Sequence, residues 1–222
     1  NSSLCRFIDM DCLIHSGNTF AYCCNSPASM HDVCGTTGDY AYDRDKVIEY
    51  GRQYYNKQDP YYPQRSYRNN CVRFASQCLY AGLGDDIIAE VYPEWHCYRN
   101  NQRDPENPEE HDQTRSWRKT NYFYRFLMDS GLAYNTTRLY SGWDLGLMAE
   151  WFQYEPGDFL FFSNGNGADE FYHVAVFSAI TENDILFMGN TTDCFDASLT
   201  AWFQDPENQE KEVVIVCIAD QG

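Results

Sequence analysis

The sequence predicts an α+β protein, with helices first and an antiparallel sheet after them. Two observations carry this. Up to about residue 131, apolar residues recur at the spacing of buried helix faces; from Pro156 onward they come in short, strand-length runs closed by turn residues. A third observation sets the N-terminal boundary. Residues 1–38 hold five of the ten cysteines (Cys5, Cys12, Cys23, Cys24 and Cys34) in a stretch rich in Ser, Asn and Gly. Such a stretch builds little core, so it is expected to be a small disulfide-rich segment ahead of a main domain at 39–222.

The first helix is expected near Asp43, where "DRDKVIEYGRQYY" sets Val47, Tyr50, Gly51, Tyr54 and Tyr55 on one stripe with acid in the first turn. An aromatic loop broken by Pro60 and Pro63 follows. The second helix spans about Asn70 to Ala81, with Cys71, Phe74, Ala75, Cys78 and Leu79 on one face, and Gly82 and Gly84 at its end. Residues 100–113 read as a solvated loop. "SWRKTNYFYRFLMDSG" is expected to be a third helix, with Trp117, Tyr122, Phe126 and Leu127 inward and Gly131 past its end. The strands are "GDFLFF", "FYHVAVFSAI", "DILFMGN" and "EVVIVCI", with a hairpin turning at "TEND".

Charge and composition narrow the function. The net charge of −17 repels nucleic acid and anionic membranes, so neither is expected as a partner. The longest apolar run, "VVIVCIA", is too short to span a bilayer. Ten cysteines, with glycosylation sequons at Asn1, Asn135 and Asn190, point to an oxidising compartment, and a secreted, extracellular protein is expected. There is no HExxH and no pair of CxxC motifs, and no metal or other cofactor is expected.

Three readings of Cys71 compete: a disulfide partner, a structural thiol and a nucleophile. A bridge to Cys78 fails, because seven helical residues rise roughly 10.5 Å and a disulfide needs Cα atoms within about 7 Å. A nucleophilic thiol gains from a helix N-terminus and from cations such as Arg68 and Arg73. It also needs an imidazole. His15 and His31 lie in the Cys-rich segment, and His96 and His111 in or beside polar loops. Only His173 sits within a strand pattern. With Ile180 opposite Ile185 across the "TEND" turn, Ala175 faces Asn190 and His173 lies diagonal to it, roughly 7–8 Å away at the backbone. Cys71, His173 and Asn190 are thus the candidate catalytic residues, a Cys-His-Asn triad in the chain order of papain-type enzymes. If Cys71 is free, nine cysteines remain, and Cys78 is the choice for a second free thiol. Read singly, each of the three residues fits plain packing or a turn; together they are informative.

The stretches "YDRDKVIEYGRQYYNKQDPYYP", "NNCVRFASQCLYAG", "SWRKTNYFYRFL", "PGDFLFF", "HVAVF" and "GNTTD" resemble, in order, the Putative amidase domain family, distant relatives of NlpC/P60 and papain-like cysteine peptidases. The resemblance covers about 40–195 and is most specific at the cysteine helix. It implies a papain-like, NlpC/P60-type fold with the nucleophile helix packed on the sheet, Cys71 as nucleophile and His173 as base. It puts the third polar residue at Asn190, where relatives often carry His. This chain also has Asn70 where relatives usually have Asp, and Arg73 where they often have Asn. The expected activity is amide hydrolysis, with peptide or peptidoglycan-type substrates. Two other expectations stand beside it, a non-catalytic secreted binding protein retaining the fold and a transglutaminase-like acyl transferase. The oligomeric state is unknown from sequence.

Overall fold

A computed structural model describes residues 41–62, 70–85, 88, 92, 95–97, 113–165 and 170–219. The Cys-rich segment, Arg68, His15, His31, His111 and most of the 100–113 loop lie outside the described residues. Among those described, the order is α1 (Arg44–Tyr54), α2 (Cys71–Leu83), α3 (Arg115–Arg118), α4 (Thr120–Asp129), β1 (Ala133–Tyr140), α5 (Leu145–Phe152), β2 (Phe159–Ser163), β3 (Phe171–Thr181), β4 (Asp184–Gly189), β5 (Cys194–Ser198), α6 (Leu199–Gln204) and β6 (Glu212–Ile218). The six strands form one antiparallel sheet in the order β1-β6-β2-β3-β4-β5. The α+β class is as expected.

Each sheet face has its own core. Phe159, Phe161, Val174, Val176, Met188, Val214 and Val216 pack against α1, α2 and α4. Leu160, Phe162, Ala175, Phe177, Ile185, Val213 and Ile215 pack against α5 and α6. Strand alternation explains the division. Arg44 of α1 ties the layers together: it bonds Asp158 Oδ1 at 2.9 Å and the Ile218 carbonyl at 2.7 Å. Asp158, fully buried, also accepts from the Ile218 N–H at 3.0 Å.

The expected third helix is two helices, α3 and α4, broken at Lys119, which is extended (φ −129°, ψ 125°). An unbroken helix turns 100° per residue, so Trp117 would lie about 120° round the axis from Phe123. The break lets Trp117, Phe123 and Leu127 all be fully buried, while Tyr122, expected inward, is 43% exposed.

The β3–β4 hairpin pairs Ile180 with Ile185 as expected, but the register shifts by one between Phe177 and Ala179. Ser178 is the extra residue, and its hydroxyl donates to Asp196 Oδ1 at 2.7 Å. Past this bulge Phe177 faces Phe187 and Val176 faces Met188. A second irregularity lies in β3 opposite β2. Phe162 pairs with His173 and Ser163 with Phe171, leaving Tyr172 as the extra residue.

Candidate active site

Cys71 is the first residue of α2 and is buried. Asn70 precedes it in the cap position, but its side chain makes no cap hydrogen bond to the helix. Its amide instead donates to Asn190 Oδ1. The first backbone N–H groups of α2 are therefore left to the thiol. Burial pushes the Cys71 thiol above its ordinary value, while the backbone at Val174, Val72 and Cys71 itself and the Thr191 hydroxyl pull the other way. The thiol is protonated at neutral pH. Arg73, expected to act on it, donates through Nε to Gln113 Oε1 at 2.9 Å.

His173 lies one residue before Val174, whose backbone touches the thiol. Its ring, however, packs on Phe162 with centroids 5.3 Å apart, and Phe162 belongs to the sheet face away from α2. A methyl group on Gly189 would sit 4.0 Å from His173 Nε2 and 3.7 Å from Cys194 Sγ. The imidazole thus shares its side of the sheet with Cys194. Burial pulls the imidazole down to about 4, so it is neutral at pH 7.

Asn190 is fully buried. Its amide nitrogen faces three carbonyls at the C-terminal end of α1, those of Tyr54 (2.6 Å), Tyr55 (3.0 Å) and Lys57 (3.0 Å). Both ends of its side chain are engaged there and at Asn70, and none of these contacts is to His173. The Ser178 bulge is the cause. Continuing the shifted register sets Asn190 level with Val174 rather than Ala175, and a one-residue shift moves a side chain to the other face. The structure therefore brings Cys71, Asn70, Asn190 and Thr191 together on the α2 side and places the His173 ring on the other. Thr191 and the clamp role of Asn190 escape sequence reading; "GNTTD" offers a sequon, a family stretch and a candidate orienter at Asn190, and none of these marks Thr191 or a clamp.

Cys71, Cys78, Cys194 and Cys217 are free thiols. Cys78 is free as expected. The described residues contain no group of three or more His, Cys, Asp or Glu arranged to hold a metal ion. No described helix is long and apolar enough to cross a membrane.

The family model described as Putative amidase domain matches residues 41–214. No curated protein and no solved structure matches the chain.

Proposed function

Because the chain belongs to the Putative amidase domain family, and so to hydrolases acting on amides in general, we propose that it is a thiol-dependent amidase with Cys71 as nucleophile and His173 as proton carrier. The observation that carries the reading is Cys71 itself, a buried thiol on the first residue of α2 within the family match. Its proton passes to the neutral imidazole, and the thiolate attacks the amide carbonyl. The N–H groups at the start of α2 stabilise the oxyanion. The imidazolium then protonates the leaving amine, and the acyl-enzyme is hydrolysed by water that the imidazole activates.

This chemistry requires the imidazole to leave Phe162 and meet the thiol. The bulge at Tyr172 supplies a route: sliding it by one residue turns His173 to the α2 face without disturbing Val174. The neutral ring favours that move, because no charge has to be carried through the sheet. Asn190 acts in this reading by holding the start of α2 against the end of α1.

The proposed substrate is a peptide of the peptidoglycan type and the proposed location extracellular. Five cysteines and a sequon within residues 1–38 support the location. A second reading is favoured by the Gly189 geometry, with Cys194 as the thiol that His173 serves. One experiment separates the two. The full chain and its Cys71→Ala, Cys194→Ala and His173→Ala variants are incubated with purified peptidoglycan and a protein panel, and products are identified by mass spectrometry. The first reading expects release of new amines or carboxylates that Cys71→Ala and His173→Ala abolish and Cys194→Ala preserves. Turnover that survives in Cys71→Ala refutes it.

A further inference from the structure

The β4–β5 turn that carries Asn190 also brings a hydroxyl to the thiol. Thr191 Oγ1 is buried and makes no conventional hydrogen bond among the described residues. A buried hydroxyl without a partner is costly, and such groups are rare in folded proteins. Thr191 follows Asn190, whose side chain bonds that of Asn70, the residue before Cys71, and its hydroxyl is among the groups that bear on the Cys71 thiol. The turn cannot drift away from that position, because Asn190 fastens it to Asn70 and to the carbonyls of Tyr54, Tyr55 and Lys57. A protonated thiol is a weak acceptor, which accounts for the unused hydroxyl. A thiolate is a strong one.

We infer that Thr191 is a further catalytic residue whose hydroxyl donates to the Cys71 sulfur once the thiol has lost its proton. The inference rests on the reading of Cys71 as nucleophile. The hydroxyl supplies a side-chain donor that strengthens as negative charge forms on this sulfur. Backbone groups of Val174, Val72 and Cys71 itself act alongside it.

The test reads the thiol and needs no substrate. Methyl methanethiosulfonate transfers its methylthio group to a thiolate and releases methanesulfinate. The rate of this labelling at Cys71 is followed by peptide mass spectrometry across pH in wild type, Thr191→Val and Thr191→Ser. Valine keeps the shape and removes the hydroxyl; serine restores it. The expected result is a labelling midpoint about one pH unit higher in Thr191→Val, which is about tenfold slower labelling at a fixed pH below the midpoint, with recovery in Thr191→Ser. An unchanged midpoint in Thr191→Val, no recovery in Thr191→Ser, or a Cys71 that resists labelling at every pH in all three proteins overturns the inference. Hydrolysis that persists in Cys71→Ala refutes the proposed function instead and leaves the labelling result standing.

Discussion

Removal of the Asn190 side chain is the perturbation that best separates a clamp from an orienter. The side chain is fully buried; it accepts one hydrogen bond from Asn70 and has two N–H protons to share among three carbonyls. At any moment about three hydrogen bonds are made. Asn190→Ala leaves their partners unmatched at 1–3 kcal/mol each. The carbonyls end a helix and can recruit water, so the low end applies, and the expected loss is about 3 kcal/mol. With a urea slope of roughly 2 kcal/mol per M, the unfolding midpoint falls by about 1.5 M at unchanged slope. Tryptophan fluorescence in urea reads this directly. A loss under about 1 kcal/mol, with turnover strongly reduced, would refute the clamp and return Asn190 to the imidazole. Turnover of Asn190→Ala should in any case exceed that of Cys71→Ala, which lacks the proposed nucleophile.

Three further outcomes follow from the same geometry. Burial holds the His173 imidazole neutral down to about pH 4, whereas the unfolded chain takes up a proton near 6.5; its contribution is full above 6.5 and is lost as pH falls toward 4, about 3 kcal/mol in all. His173→Leu should flatten that part of the stability profile, and an unchanged slope counts against the burial of the ring. Burial raises the Asp158 carboxyl while Arg44 opposes it, so Arg44→Ala strands a buried carboxylate and should cost about 3–5 kcal/mol in urea unfolding; a loss below 1 kcal/mol would contradict the pairing. Asn190, fully buried with both ends of its amide bonded, should carry no glycan in protein from a glycosylating host, whereas Asn135 on edge strand β1 is only partly buried; an occupied Asn190 in folded protein is incompatible with this structure.

The helices at Arg44 and Cys71 and the four apolar strands were legible because each buries a regular stripe or run. The strand β1, "AYNTTRLY", was not, because it lies at the sheet edge and carries Asn, Thr and Arg in place of an apolar alternation. The short edge strand β5 and the six-residue α6 gave too little periodicity to read. Helix α5 had a signal that could have been used: the Asp144 side chain accepts from the Leu147 N–H at 3.0 Å, a cap written in the sequence. At the candidate site the residues could be named but not their faces. The hairpin turn fixes the register only as far as Ser178, and one unpaired residue there separates Asn190 from His173. Nothing in the composition of "AVFSAIT" marks that residue as the extra one.

The bond between Asn70 and Asn190 also has an order in time. The two residues are 120 positions apart, and the carbonyl of Tyr54 is 136 from its donor. At 5–20 residues per second, a ribosome needs roughly 6–24 s to add the second partner after the first. During that interval α2 and its thiol have emerged, but the turn that fixes them has not. Contacts of such separation slow folding and form late. A nascent chain cut short before residue 190 therefore carries the thiol without the surroundings that tune it. Thiol labelling of stalled chains, compared on either side of that position, would show the moment at which Cys71 becomes enclosed.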